Sequence, residues 1–141
     1  MFSKQTQYAL RAIIYLAVNA SPQKKIGVNV IAEELGVPKQ FLSKILQKLV
    51  NKGLLHSSKG KAGGFYLNKV DLSSNLRLII EVFDGDDLFC NCVMGLPTCS
   101  SDNPCPLHEP SITYRNELIS RLENQTIKDL AKSVIKDGFI I

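Results

Sequence analysis

Between Gly36 and Gly64 the chain reads GVPKQFLSKILQKLVNKGLLHSSKGKAGG, and few folds accommodate such a run. Gly36 suits a left-handed helix end, and Pro38 suits the first position of a new helix. The spacing predicts that helix over 38–52. Phe41, Ile45 and Leu49, with Leu42, Leu46 and Val50, recur every four residues and make one broad apolar stripe. The opposite face holds Lys39, Gln40, Ser43, Lys44, Gln47, Lys48, Asn51 and Lys52, with no acid among them. Gly53 ends the helix. Two β-prone runs follow, LLHSS and GFYLN, around the Gly-rich tip Lys59-Gly60-Lys61-Ala62-Gly63-Gly64. They predict a hairpin.

Helices account for most of the remaining chain. Residues 5–19, apolar on almost every face, predict a buried helix ended by Ser21 and Pro22. A two-turn helix is expected within 27–37, capped by Asn29 and closed by Gly36. Another is expected over 74–84, with caps from Asp71 to Ser74 and a break at Asp84-Gly85-Asp86-Asp87. Residues 86–107 predict a long loop. Residues 110–123 are helical again, with Ile112, Leu118, Ile119 and Leu122 apolar, and Thr126 caps a last short helix, IKDLAKSV. The expected organisation is a DNA-binding unit over 1–84, a cysteine-rich loop over 85–108, and a long helix plus a short one over 109–141.

Charge divides the chain. Residues 1–70 carry eleven Lys or Arg against two acids, while residues 71–141 carry six against eleven, within a net charge of +4. A basic front half suits a polyanion. Hydrophobic residues at 45% and charged residues at 21% are globular values. The longest apolar stretch contains Arg11 and is too short for a membrane span. A soluble, cytoplasmic protein is expected, too small for an enzyme with separate substrate and cofactor domains.

A helix, a tight Gly turn, a polar-faced helix and a Gly-tipped hairpin together predict a mainly α protein with a winged helix-turn-helix. A helix in the major groove needs one face to pack on its own domain and another that offers donors to base edges and phosphates. Lys39, Gln40, Ser43 and Lys44 sit at the base-reading positions. Lys48 and Lys52 suit phosphate contacts or solvent. Lys59 or Lys61 can reach the flanking minor groove, and Gly60, Gly63 and Gly64 permit close backbone approach to phosphates. No nucleophile–base set and no phosphate-binding loop competes, so the chain does not read as an enzyme.

All four cysteines fall within CNCVMGLPTCSSDNPCPLH. Cys92, Cys99 and Cys105 are separated by six and five residues, and His108 follows three after Cys105. Thiolates suit iron and zinc, and an imidazole can add a fourth ligand. Wide gaps wrap an iron–sulfur cluster more naturally than a single ion. Structural zinc and a reactive thiol pair, Cys90 with Cys92, stay open at this level, and Cys90 lies outside the three-cysteine pattern. His56 reads as a polar strand residue.

On YALRAIIYLA, FLSKILQKLVNKGLLHSSKGKAGGFYL, the helix ending FDGD and the loop from Cys92 to His108, nearly the whole chain resembles the Rrf-two family of winged-helix regulators. That family includes iron–sulfur regulators, nitric-oxide sensors and cysteine-metabolism repressors. The resemblance implies a homodimer on a near-palindromic operator, paired through the helix near 110–123. It also implies an iron–sulfur cluster on Cys92, Cys99 and Cys105. His108 matches the position used by the cluster-assembly regulators, which favours a 2Fe–2S over a 4Fe–4S cluster; Gln7 stands where the nitric-oxide sensors carry an acid. The first cysteine gap is one residue longer than in the cluster-assembly regulators, Ser43 replaces an acid that they use, and Lys59 stands where Arg is usual. The expected function is a transcriptional regulator, acting as a repressor, whose DNA affinity follows the cluster. The alternative is a cofactor-free repressor governed by a partner protein or a small effector.

Overall fold

The computed structural model describes residues 1–138 and 141. Helix α1 (Lys4–Asn19) is the central element. Ser3 caps it, its hydroxyl accepting from the Thr6 amide. Thr6, Ala9, Ala12, Ile13 and Leu16 are buried, while Leu10, Ile14, Ala17 and Val18 are half-buried. The helix is therefore less enclosed than its uniform apolarity suggests.

Helix α2 (Val28–Leu35) begins after Gly27, which makes no side-chain cap; Asn29 lies inside the helix instead of capping it, a correction to the sequence reading. The helix starts two residues early because Ile26 is paired into the wing, which leaves Gly27 at the helix entry. Gly36 closes it at φ 61°, as expected. The Arg11 guanidinium donates to the Leu35 carbonyl at 2.7 Å, satisfying a helix-end acceptor from α1. Helix α3 (Lys39–Asn51) follows, with Pro38 one position outside it. Its stripe buries Leu42, Ile45, Leu46 and Leu49.

Strands β1 (His56–Ser58) and β2 (Gly64–Tyr66) pair antiparallel, His56 opposite Tyr66 and Ser58 opposite Gly64. Ile26 adds a third line, exchanging both backbone hydrogen bonds with Phe65 at 3.1 and 2.8 Å. The short helix α4 (Lys69–Leu72) carries a capping box between Asn68 and Asp71. Helix α5 (Leu76–Asp84) is capped by Asn75 and not by residues 71–74; Asp71 and Leu72 lie in α4, which the sequence reading left out, and Ser73 closes it. A second short helix, α6 (Asp87–Cys90), opens the cysteine loop and buries Phe89. Helix α7 (His108–Asn124) buries only Leu122. Helix α8 (Ile127–Asp137) is capped by Thr126, with a capping box to Asp129.

One core joins these elements. Ile13, Leu16, Ile31, Leu42, Leu46, Leu49, Leu55, Ile79, Ile80 and Ile127 are essentially fully buried. Each such side chain contributes roughly 1.5–3 kcal/mol relative to exposure. Helix α1 packs on α3, α5 and α8, so the last helix returns to the first. The Ile127 amide donates to the Ser74 carbonyl at 3.0 Å, pinning the start of α8 beside that of α5. Helix α7 packs on α5, bringing Leu122 into the core with Leu118 and Ile119 against it. No helix among the described residues is long and apolar enough to cross a membrane.

Candidate nucleic-acid interface and metal centre

Packing the apolar stripe of α3 turns its polar face outward. Lys39, Gln40, Lys44 and Lys48 are exposed and Ser43 is half-buried. None of these lysines is paired with a carboxylate among the described residues. Lys48 differs from the rest, because its ammonium lies 4.8 Å from the Phe83 ring centroid, against α5. At the wing tip Lys59, Gly60 and Lys61 are exposed.

Gly63 and Gly64 are half-buried, and the hairpin itself requires them. A Cβ on Gly63 would meet the Ser58 carbonyl oxygen at 2.3 Å, and one on Gly64 the Ile26 backbone at 2.6 Å. Gly64 also holds φ at 149°, a conformation that glycine alone adopts readily. The wing is thus a close three-line backbone contact before any ligand arrives. Lys25, beside the third line, sits 5.4 Å from the Tyr66 ring centroid and adds a further cation to the wing.

The wing base holds a polar cluster. His56 stacks on Tyr66 at 5.5 Å, and its Nε2 lies 2.9 Å from Asn68 Nδ2 and 3.2 Å from Asp71 Oδ2. Asn68 Oδ1 accepts from the Asp71 amide, and Asp71 Oδ2 accepts from the Asn68 amide, both at 2.8 Å. His56 is thereby a tie between the wing and α4, more than a generic strand residue. The sequence signal for it was the capping pair Asn68-x-x-Asp71.

Behind this face, residues 91–107 fold over a cavity of about 350 Å³. The loop is held largely by its own turns: Gly95 donates to Cys92, Cys99 to Leu96, and His108 to Cys105. Arg115 on α7 reaches back to the Asn91 carbonyl at 2.6 Å. These turns bring the Sγ atoms of Cys92, Cys99 and Cys105 within 4.8 Å of one another. Cys92 and Cys105 are 3.7 Å apart, and Cys99 lies 3.2 Å from Nδ1 of His108, the first residue of α7. All four cysteines are free, and Cys90 is exposed at the cavity edge.

The thiols are not equivalent. The Leu96 backbone amide pulls Cys92 down to about 7, aided by the Met94 amide and the neighbouring Cys99 and Cys105, against partial desolvation. Cys99 is raised: the Cys105 amide favours its thiolate, but desolvation and the neighbouring Cys105 and Cys92 outweigh it. A thiolate is the form that binds metal. Three sulfur donors around one cavity, with an imidazole against one of them, fit a zinc ion or an iron–sulfur group.

Known proteins resemble this chain in sequence and fold. The Rrf2 family profile, described as an iron-dependent transcriptional regulator, matches residues 2–133. A putative HTH-type transcriptional regulator of Aquifex aeolicus is 33% identical over 132 residues, covering 92% of this chain and 90% of that protein. The crystal structure of Staphylococcus aureus CymR superposes with a TM-score of 0.71 at 27% identity, covering 92% of this chain and 97% of that one. The structure of T. potens IscR superposes with a TM-score of 0.75 at 20% identity, covering 99% and 91%.

Proposed function

The chain belongs to the Rrf2 family of transcriptional regulators, and on that premise we propose that it is a homodimeric repressor whose grip on a near-palindromic operator is set by an iron–sulfur cluster on its cysteine loop. The observation that carries this reading is the convergence of the Cys92, Cys99 and Cys105 thiols on one cavity at the root of α7.

Each half of the dimer lays α3 in the major groove, with Lys39, Gln40, Ser43 and Lys44 at base edges and backbone. Lys48 serves the adjoining phosphates once it leaves Phe83. Lys59 and Lys61 reach the flanking groove, and Gly60, Gly63 and Gly64 let the wing backbone approach. Helix α7 is the dimer element: Ile112, Leu118 and Ile119 are only half-buried within one chain, and Tyr114 is exposed. Cys92, Cys99, Cys105 and His108 hold the cluster. A two-iron form is favoured by the resemblance of His108 to the position that the cluster-assembly regulators use, and its Nδ1 lies 3.2 Å from Cys99 Sγ. Residues 86–108 run directly into α7, so reordering the loop changes the separation of the two α3 helices. Half-sites lie about 34 Å apart, and a small change in that separation alters affinity.

A second reading follows from the sulfur spacing. At a metal–sulfur distance of about 2.3 Å, the edge of a tetrahedron is about 3.8 Å. The 3.7 Å between Cys92 and Cys105 fits two ligands of one ion, and zinc meets that requirement.

Anaerobic reconstitution with ferrous iron and sulfide decides between them. The cluster reading expects bound iron, acid-labile sulfide and a visible absorption band, with the band lost in Cys92→Ala. Stoichiometric zinc without sulfide replaces the cluster by zinc. Operator binding that is tight in metal-free, thiol-reduced protein and unchanged by reconstitution returns the protein to effector control.

A further inference from the structure

We infer that Arg77 is the joint through which the state of the cysteine loop reaches the DNA-binding body, an inference that rests on the cluster-responsive reading above. Arg77 projects from α5, and its guanidinium meets four groups from three other parts of the chain and its own helix. Nε lies 2.5 Å from Glu81 one turn along α5, Nη1 pairs with Glu123 on α7, and Nη2 lies 3.4 Å from Asp86 at the start of the loop. The same group sits 5.3 Å from the ring centroid of Phe89 on α6.

Those partners are the places where loop, long helix and body meet. Phe89 is 5% exposed and is the point at which the loop enters the core. Helix α5 packs on α1 and α3, and its Phe83 carries Lys48 of α3. A displacement at Asp86 and Phe89 therefore has a continuous path of packed side chains to the lysine-bearing helix.

The limbs of the joint are unequal. The Asp86 limb is the longest, and Asp86 is the most exposed of the three acids, at 69% against 32% for Glu81 and 45% for Glu123. Three carboxylates share one cation, so the guanidinium can surrender Asp86 and Phe89 while keeping Glu81 and Glu123. That provides two discrete arrangements, which coupling between distant sites requires. Only arginine has the planar five-donor fork that serves three carboxylates and an aromatic face together; lysine offers a point charge.

The test compares operator affinity of protein reconstituted with ferrous iron and sulfide against metal-free protein. It is run for the wild type, Arg77→Lys and Asp86→Asn. The wild type is expected to show a ratio within about 5–150-fold, and Arg77→Lys to bring it below about twofold while keeping the absorption band. Amide hydrogen exchange of α5 is expected to change on reconstitution in the wild type and not in Arg77→Lys. If Arg77→Lys does not fold cooperatively, Asp86→Asn, which cuts the exchanging limb at the most exposed of the three acids, is expected to reduce both the ratio and the exchange difference. A variant with a lower melting temperature but wild-type ratio and exchange difference makes these residues merely structural and overturns the inference. No difference between the two forms of the wild type overturns the proposed function itself, and this inference with it.

Discussion

The DNA-binding body and the cysteine loop are stabilised by different physics. The body surrounds α1 with a core that includes nine essentially fully buried Leu and Ile side chains, joined by Ile127 of α8. Between Asn91 and Leu107 nothing is buried. That segment exposes Val93, Met94 and Leu96 and is shaped by short backbone turns. A packed apolar core orders a chain without a ligand; turns around half-exposed thiols gain most from a bound metal, because binding free energy there becomes ordering free energy. A regulator needs one part that does not respond and one that does.

The largest expected effect lies in the body. Leu46→Ala should cost about 3 kcal/mol in urea unfolding, because Leu46 is fully buried and its neighbours cannot close the cavity; a cost below about 1 kcal/mol would remove the contrast between the two regions. Gly64→Ala should cost about 2 kcal/mol through its positive φ and its contact with Ile26, and operator binding should weaken with it as the wing shifts. Unchanged affinity in that variant would take the wing out of the DNA interface. Lys44→Ala should weaken operator binding roughly tenfold with little change in stability, and titration against salt would show whether the lost contact is to phosphate.

A smaller effect belongs to the cap of α8. Asp129 is held below the usual carboxylate range, first by the Thr126 hydroxyl, then by the Thr126 amide and the nearby Lys132 and Lys128. Its stabilising contribution is complete above the ordinary carboxylate pKa and fades as pH falls through the lowered value. Asp129→Asn should flatten that part of the acid unfolding curve; an unaltered curve would discount the cap. The smallest effect is expected at Cys92→Ala in metal-free protein, within about 0.5 kcal/mol of the wild type by thermal unfolding. A larger loss would mean that the loop supports the body without metal.

The legible features were those with local causes. Gly36, Thr126 and the four-residue stripe of α3 specify their elements through nearest neighbours along the chain, and each stands where the spacing placed it. Cap assignment failed where several candidates competed. Asn29 yields to Gly27 because Ile26 is drawn into the wing by Phe65, and Asn75 caps α5 because Asn68 and Asp71 have already closed α4 upon each other. For the site, the cysteine spacing announced a cluster of donors, but the helix expected from 110 begins at His108 instead, so that the imidazole stands on the first turn of α7 and not in the loop before it.

Residue order alone therefore determined the helix-turn-helix, the wing, the lysine face and the supply of thiols, since each follows from periodicity, turn chemistry or composition within about twenty residues. Tertiary structure decided what no short window contains. It set Gly64 against Ile26, His56 against Asp71, and Arg77 among Glu81, Asp86 and Glu123. It also returned α8 to α1. These pairings depend on where distant segments come to rest when the apolar faces are buried together, which is a property of the whole core and not of any one stretch of chain.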